Sequence, residues 1–561
     1  MSAAVNLDQT ELAWDQMTLV AEQSEIAAAK MSITEAERRL KVVDGLLERT
    51  GVLEAVDGRI DARRKSNRGA KRTVSTKLLL TGILLALLDD RPPQLQHAMA
   101  ALARLPRHLR IRTGFLRPSR KAEKARGRLY VEISYSSYSR ALSRVDDVLG
   151  DSRVKPTSLN RERRTTSHST AHVLDAILEA SVTEQVDPLS GAIDSTAIYG
   201  HVNQRTSKTE IAKSADPEVE WYSRPEKRIR ILGYSHTAVT AQTTSGRTVV
   251  LAMELQSGNA EDSTSGTDLL RRSTARKNAV RRIRQIAADK AYSKSRSFFE
   301  KAHKAGIYVV FDLNENQLGR QAVVEGHPVV DGAAYCPCLP NSLSNLGPAP
   351  STFNKIQPAP YQLALEAREP YRLPLHGRTN PDGSHRVTCP VLTGQARCSR
   401  RPSESATVDQ AKPLMLPTAK TPQAAVCEQQ TKSMPGERDG LQLQPQYPYG
   451  TAAWRGAYGK YRNQAEGSFG NLKTGPTQMR RGAIHVTGLT KTGLMLALSL
   501  AVRNLRACGA VTAMTHRASR GGQALRITEE DFTPDGWARH LREITIARDG
   551  RSPPDSSNRN G

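Results

Sequence analysis

The strongest constraint on the fold is an alternation of strand-like and helical patterns between residues 186 and 314. Runs rich in β-branched and small apolar residues are predicted to be strands, at 191–198, 229–240, 247–255, 283–289 and 307–312. Only turns or a loop separate the first three runs, so these strands are predicted to form an antiparallel meander. Helical segments at about 262–282 and 293–305 precede the fourth and fifth runs. The predicted order is β-β-β-α-β-α-β, with the first and fourth strands as parallel neighbours.

This order is that of a ribonuclease H-like core, a mixed sheet with helices packed against it. Residues 315–450 break the pattern, because 17 of the chain's 30 prolines lie from Pro337 to Pro448. Helical periodicity precedes the core in residues 1–60 and resumes near residue 454. The predicted fold class is therefore α+β and multidomain. Its ribonuclease H-like mixed-sheet core is interrupted by an insertion and preceded by a helical N-terminal region.

These patterns divide the chain into five parts, and no internal repeat relates one part to another. Residues 1–165 are predicted to form a helical, basic N-terminal region that binds DNA. The first part of the core is residues 166–314, the insertion is residues 315–450, and the last helices of the core are residues 451–510. Residues 511–561 are a polar C-terminal tail that is predicted to be disordered.

Two aspartates occur in nearly identical contexts at the first and fourth predicted strands. Asp194 follows Gly-Ala-Ile, and Asp289 follows Ile-Ala-Ala. A carboxylate beside buried strand residues is costly unless it meets a cation or lies at a sheet rim. Because the two strands are predicted to be parallel neighbours, their carboxylates should converge. Mg²⁺ binds few carboxylates and keeps water or phosphate as its other ligands, so the pair predicts a Mg²⁺ site.

A third acid lies on a predicted helix that carries an unusual mixture of side chains on one face. At helical spacing, Tyr458, Arg462, Glu466, Phe469 and Lys473 share one stripe roughly 80° wide. An ordinary surface helix separates its charges from its aromatic residues. This stripe instead suits an acid that faces the sheet, with basic residues beside it to meet phosphates.

The sequence resembles a bacterial insertion-sequence DDE transposase, of the group whose third acid lies in a Y-x2-R-x3-E-x6-K signature. The spacing of Arg462, Glu466 and Lys473 matches that signature, whereas the tyrosine position holds Gly459, with Tyr458 beside it. Further phrases like those of the family are Gly-Tyr-Ser-His, Ser-Gly-Asn-Ala-Glu-Asp and Ala-Asp-Lys-Ala-Tyr, at 233–236, 257–262 and 288–292. The resemblance spans about residues 75–510.

The resemblance implies a mechanism and a set of partners. In the family, three acids hold two Mg²⁺ ions that activate water and then a DNA 3′-hydroxyl for attack on phosphodiesters. By resemblance Asp194, Asp289 and Glu466 are the catalytic and metal-binding residues, with Mn²⁺ as an alternative metal. Arg462 and Lys473 would hold DNA phosphates. The implied partners are double-stranded DNA at transposon ends and target sites and a second copy of the chain, as a homodimer or higher oligomer.

The charge of the chain independently favours a polyanionic partner. Lys and Arg number 81 against 56 Asp and Glu, which gives a formal net charge of +25. Residues 104–128 hold ten Lys or Arg and one acid. This density indicates contacts with the DNA backbone, and a solvated loop is the alternative. The residues predicted to contact phosphates are Arg107, Arg110, Arg112, Arg117, Arg120 and Lys121.

Five of the six cysteines lie in the proline-rich insertion. Structural zinc usually requires pairs spaced C-x2-C or longer, and the C-x-C and C-x8-C spacings here match poorly. A zinc site on Cys336, Cys338, Cys389 and Cys398 is therefore a weak expectation, although the clustering still needs a cause. So few cysteines in a long chain suit a reducing compartment. No run is long enough to span a bilayer, so a cytoplasmic, nucleoid-associated bacterial protein is expected.

The leading hypothesis is a DNA transposase of an insertion sequence, with metal-dependent cleavage at transposon ends and strand transfer into target DNA. One alternative is a catalytically inactive, DNA-binding descendant of a mobile element. Another is a ribonuclease H-like nuclease that cuts without strand transfer. His201 and His236 are predicted to be structural or adjacent to DNA, since no other catalytic motif accompanies them. Trp221 and Trp454 are predicted to be buried aromatic anchors rather than residues that stack on DNA bases.

Overall fold

The structure is a computed structural model. It describes residues 32–63, 72–118, 130–150, 168–201, 216–224, 229–258, 261–276, 282–349, 359–380, 382–438, 441–475, 479 and 482–509. The predicted disordered tail lies outside these residues, as do Arg120 and Lys121 of the basic cluster. In the described part of the chain, no helix has the length and apolar character needed to cross a membrane.

The first described elements are helices, joined by one short β-hairpin. They are α1 (Ile33–Thr50), α2 (Val52–Ala62), α3 (Thr76–Leu88), α4 (Leu95–Ala103), α5 (Arg107–Thr113), β1 (Leu116–Pro118), β2 (Tyr130–Glu132), α6 (Tyr135–Leu149) and α7 (His168–Ser181). Helix α3 is buried on all sides except at Lys77, which accounts for its unbroken apolar sequence. The Tyr138 hydroxyl donates to the Leu79 carbonyl oxygen at 2.6 Å, beside Gly82, where a Cβ would collide with it.

A six-stranded mixed sheet follows, with two helices between its strands. The elements are β3 (Gly191–Tyr199), β4 (Glu220–Arg224), β5 (Ile229–Gln242), β6 (Thr248–Ser257), α8 (Asp262–Arg276), β7 (Gln285–Ala288), α9 (Arg296–Lys304) and β8 (Tyr308–Phe311). Strand β5 pairs antiparallel with β3, β4 and β6, and β3, β7 and β8 are parallel. The predicted meander and the parallel pairing of the first and fourth strands are confirmed. The short strand β4 was not predicted.

The 315–450 segment contains short strands and a small apolar cluster of its own. Its elements are β9 (Arg320–Val324), β10 (His327–Val330), β11 (Ala333–Ala334), α10 (Ala359–Arg368), β12 (Leu375–His376), β13 (His385–Thr388), β14 (Arg397–Cys398), α11 (Pro402–Ala406), β15 (Leu414–Met415), α12 (Ala425–Glu428), β16 (Thr431–Met434), β17 (Glu437–Arg438) and β18 (Leu441–Gln442). Strands of two to five residues are too short to show periodicity in a sequence. A buried ion pair, Arg368 Nη1 to Asp331 Oδ2 at 2.6 Å, lies beside a second small apolar cluster that contains Tyr335.

Two long helices complete the described chain, α13 (Ala452–Thr474) and α14 (Leu489–Ala507). Helix α14 packs with α7 against β6, whereas α8 and α9 belong to a second apolar cluster. Along β6, Val250 and Leu255 belong to the first cluster and Val249 to the second, so the sheet is covered on both faces. The Asn504 side chain bonds both the N–H and the carbonyl of Val250 at 2.8 Å. Among the described residues β6 is an edge strand that pairs with β5 alone, so Asn504 supplies the hydrogen bonds that its outer edge would otherwise lack at Val250.

A buried group of one arginine and two acids ties α7, α8 and β6 together. Arg272 donates to both carboxylate oxygens of Asp175, at 2.7 and 3.1 Å, and also pairs with Glu254. Its burial alone would lower the pKa of Arg272, but the carboxylates outweigh burial and raise that pKa. Since all three side chains are less than a tenth exposed, each charge depends on the others.

We therefore predict that Arg272→Leu lowers the free energy of unfolding by about 3–5 kcal/mol, because it leaves two buried carboxylates without a cation. The matched control is Arg271→Leu, one residue earlier on the exposed side of α8, with an expected change within about 0.5 kcal/mol. Urea unfolding followed by circular dichroism measures both. Similar unfolding midpoints for the two variants would contradict the prediction.

Candidate active site

The aspartates of β3 and β7 meet at the point where the parallel pairing of these strands ends. Ile193 is paired with Ala288, the last residue of β7. Asp194 is the next residue of β3, and Asp289 directly follows β7. Asp194 lies within β3, as the predicted strand at 191–198 implies, and β3 continues to Tyr199 with β5 along its other edge. Asp289 begins a turn in which its Oδ1 accepts the Ala291 N–H at 3.0 Å. The predicted convergence of the two carboxylates is confirmed.

Helix α13 brings the third acid and an arginine to the same place. Arg462 Nη1 forms an ion pair with Asp194, and its Nη2 lies 3.8 Å from Asp289 Oδ2 and 3.1 Å from Glu466 Oε1. One guanidinium thus contacts all three acids. The Arg462 side chain is 12% exposed and Asp194 is 5% exposed, whereas Glu466 is 45% exposed. Helix α13 therefore has the helical phase that the sequence predicted.

The charge of Arg462 is fixed by these neighbours. Burial alone would lower the pKa of Arg462, but Asp194 and then Asp289 outweigh burial and raise that pKa above its usual value. Arg462 is therefore a permanent buried cation, not the exposed surface charge that a helix position alone suggests. Its partners in the structure are the three acids.

Aromatic packing fixes the first turns of α13 on the sheet. Trp454 is fully buried, and its indole N–H donates to the carbonyl oxygen of Phe311 at 2.8 Å, at the end of β8. Tyr458 stacks on Trp454 with ring centroids 5.0 Å apart, one helical turn before Arg462. Trp454 is thus a buried anchor, as predicted, and Trp221 is partly buried against the first apolar cluster.

The far end of α13 is attached to β3 and β5. Lys473 Nζ donates to Thr196 Oγ1 at 2.7 Å, and Thr196 lies two residues beyond Asp194 on the same face of β3. Phe469 packs edge-on against His236, with ring centroids 5.7 Å apart. Burial lowers the pKa of His236 to about 4, so its ring is neutral at pH 7. Lys473 therefore places a positive charge on the same side of the sheet as the acids.

A fourth carboxylate, which the sequence analysis missed as a site residue, lies beside Asp289. Asp312 directly follows β8, and its backbone N–H donates to the Ala288 carbonyl oxygen at 3.2 Å. Burial, reinforced by Asp289 and opposed by Lys290, raises the pKa of Asp312 to about 6. The sequence contained a pattern that could have identified Asp312, because Asp312 directly follows an apolar strand just as Asp289 does.

The donor set fits a hard divalent cation, although no such ion is part of the structure. Among the described residues, no group of three or more His, Cys, Asp or Glu side chains has the geometry of a metal site. The three converging groups are nevertheless all carboxylates, and Asp194 Oδ1 is buried without a hydrogen-bond partner. The Mg²⁺ site on Asp194, Asp289 and Glu466 stays a prediction.

The basic cluster is only partly described. Arg107 and Arg112 are exposed on α5, and Arg117 is half-buried on β1. Arg110 is paired with Glu132 at 2.7 Å, so it already has an intramolecular partner. The role of the cluster in DNA binding stays a prediction.

One comparison with known proteins bears on this site. Residues 187–331 match the family model of the transposase DDE domain. The match covers about a quarter of the chain and includes Asp194 and Asp289, but it ends before α13. No significant match to a curated protein or a solved structure accompanies it. Together with the mixed α+β fold, the match of residues 187–331 to the transposase DDE domain supports a DDE transposase.

Proposed function

We propose that the protein is the DNA transposase of an insertion sequence, which cuts DNA at the ends of its element and joins them to target DNA. The observation that carries this proposal is the convergence of Asp194, Asp289 and Glu466 around one guanidinium at the rim of the sheet. These three residues come from two strands and a distant helix. Such a group of acids is costly to assemble in a structural role and suits metal-dependent phosphoryl transfer.

The three acids would hold the divalent metal, Mg²⁺ or Mn²⁺. When bound there, the metal supplies Lewis acidity for a phosphodiester and lowers the pKa of a bound water or hydroxyl group. The chain's own contribution is the arrangement of the ligands. Asp194 is held by β3 and has one oxygen without a partner, and Asp289 is oriented by its turn. Glu466 is the most exposed of the three and lies on the side open to a substrate.

The basic residues of α13 would hold the DNA. Arg462 presents a planar fork that suits two phosphate oxygens, and Lys473 adds a second cation on the same side of the sheet. Their attraction for a phosphodiester offsets its repulsion by three carboxylates. The net charge of +25 supports a large DNA contact, and we propose that a dimer or higher oligomer brings two element ends together.

The first prediction concerns the acids. Asp194→Asn, Asp289→Asn and Glu466→Gln should each reduce strand cleavage and end joining by about a hundredfold or more, because an amide keeps the shape but loses the charge that binds the metal. The assay uses purified protein, Mg²⁺ and labelled DNA that carries the inverted repeats beside the gene. Asp268→Asn is the control, because Asp268 is a half-buried acid on α8 that is paired with Arg271. Cutting without joining by the unaltered protein would favour a nuclease, and neither reaction would favour an inactive descendant.

The second prediction separates Arg462 from Lys460, which lies two residues earlier on the exposed side of α13. Arg462→Ala should abolish end joining and lower the free energy of unfolding by about 2–3 kcal/mol without metal, because it leaves buried Asp194 unpaired. Added Mg²⁺ should recover part of that loss. Lys460→Ala should change stability by no more than about 0.5 kcal/mol and keep activity. Equal damage from the two substitutions would refute the placement of Arg462.

The third prediction concerns the basic cluster, apart from Arg110, which is paired with Glu132. Five residues are replaced together by alanine: Arg107, Arg112, Arg117, Arg120 and Lys121. The slope of log affinity for DNA against log salt should become shallower by up to about 4, because each lost phosphate contact removes a released counterion. Fluorescence anisotropy at several salt concentrations measures it. The control replaces three exposed arginines elsewhere: Arg271, Arg296 and Arg386. An unchanged slope would identify the cluster as solvated surface charge that does not contact DNA.

A further inference from the structure

One small cavity in the 315–450 segment is lined by five cysteines, which are spread over residues 336–427. The cavity has a volume of about 10 Å³, room for roughly one water-sized atom. All five are free thiols, and the remaining cysteine, Cys508, lies in another cluster at the end of α14. The cysteines that line the cavity are Cys336, Cys338, Cys389, Cys398 and Cys427. Chance does not readily bring five of six cysteines to one point through loops and short strands.

Three of these sulfurs share the same backbone environment. In each case the backbone N–H two residues later donates to the sulfur: Cys338 to Cys336, Val391 to Cys389, and Arg400 to Cys398. Each of the three cysteines also begins a turn closed by a bond from the N–H three residues later to its own carbonyl oxygen. Such N–H donors are the usual hydrogen-bond partners of a metal-bound cysteine sulfur.

The other two cysteines differ from one another. The residue two positions after Cys338 is Pro340, which has no N–H, so Cys338 lacks this type of turn. Cys427 lies in the single turn of α12, close enough to Cys336, Cys389 and Cys398 for the charges to interact. Cys427 is thus a neighbour of all three cysteines that begin turns, Cys336, Cys389 and Cys398.

Two arginines place positive charge at the same cavity. Arg401 donates to the carbonyl oxygens of Val426 and Gln429 at 3.0 and 3.2 Å, on either side of Cys427, and its buried Nε has no partner. Arg400 donates to the carbonyl oxygens of Thr421 and Pro422 at 2.7 and 3.0 Å. A site of four thiolates and one Zn²⁺ carries a net charge of −2, which Arg400 and Arg401 offset in part, because Arg401 is also paired with Glu404 at 2.8 Å.

We propose that Cys336, Cys389, Cys398 and Cys427 form a structural tetrathiolate Zn²⁺ site that holds the 315–450 segment together. The described thiols are not arranged as a set of three or more metal ligands, and Cys336 and Cys338 share a side-chain hydrogen bond. Binding turns the sulfurs toward the cavity and releases their protons. The ligand set differs from the one that the sequence suggested, because Cys427 replaces Cys338.

The segment has a physical need for such a site. Its strands are two to five residues long, and they are divided among several small sheets. A small apolar cluster stabilises such an arrangement poorly, and a structural metal commonly supplies the missing free energy. The ligands come from turns on both sides of β13 and from α12, so one ion would cross-link residues across about ninety positions of the chain.

The experiment measures metal in the full-length, untagged protein purified under reducing conditions without chelator. Elemental analysis by mass spectrometry should find about one zinc per chain, and Co²⁺ exchanged for zinc should give the intense visible and near-ultraviolet absorption of a tetrahedral cobalt thiolate site. The double variant Cys389→Ser with Cys398→Ser should retain less than about a fifth of the metal. Cys508→Ser and Cys338→Ser should retain all of it.

Two further measurements keep the result decisive. If the double variant does not fold, alkylation of the unaltered protein decides: chelation should make about four more thiols reactive than in the zinc-loaded protein. Asp194→Asn should retain its zinc, which separates this site from the acids of the proposed transposase. Less than about a tenth of a zinc per chain with reduced thiols, iron with sulfide, or loss of zinc in Asp194→Asn would each overturn the proposal.

Discussion

Three carboxylates within reach of one another repel strongly, and at a partly buried position that repulsion persists unless a cation lies among them. In this protein the cation is Arg462, which contacts Asp194, Asp289 and Glu466 at once. The arrangement has a functional advantage. A guanidinium keeps the three acids together, and under the proposed function its long side chain would move to a phosphate when a metal ion takes its place among the acids. Arg462 therefore supplies, from the chain itself, a cation that keeps the site assembled.

The rest of the core is built to keep this contact in place. Strand β3 extends beyond β7, so Asp194 and Asp289 lie at a step in the sheet rather than within paired strands. Helix α13 crosses that step, and its two ends are fixed by different interactions. Trp454 and Tyr458 pack at the beginning of the helix, and Lys473 reaches Thr196 near its end. A helix held at both ends has a fixed rotation, and the rotation decides whether Arg462 faces the acids.

The sequence was sufficient where the relevant order is local. Strand periodicity located β3 and β7, and the rule for parallel neighbours brought Asp194 to Asp289. Helical spacing gave the inward face of α13. Other features depend on contacts between distant segments, which periodicity does not encode. The assignment of Arg462 to DNA phosphates stays a prediction, and its pairing with the three acids is visible only in three dimensions. The convergence of Cys398 and Cys427 likewise depends on the path of loops across the 315–450 segment.

The chemistry of the donors separates the two proposed metal sites. The acids are hard oxygen donors at a partly open sheet rim, which suits a metal that exchanges water and phosphate during a reaction. The thiols are soft donors around a small, mostly apolar cavity, which suits Zn²⁺ as a structural ion that exchanges little. Under these two proposals Mg²⁺ would not compete for the thiols, and bound Zn²⁺ would take no part in phosphoryl transfer. Loss of Mg²⁺ would stop the reaction in an intact protein, whereas loss of Zn²⁺ would first loosen the segment that lies between β8 and α13. Because α13 carries Arg462 and Glu466, a loosened segment reaches the acids through the chain itself rather than through a shared metal.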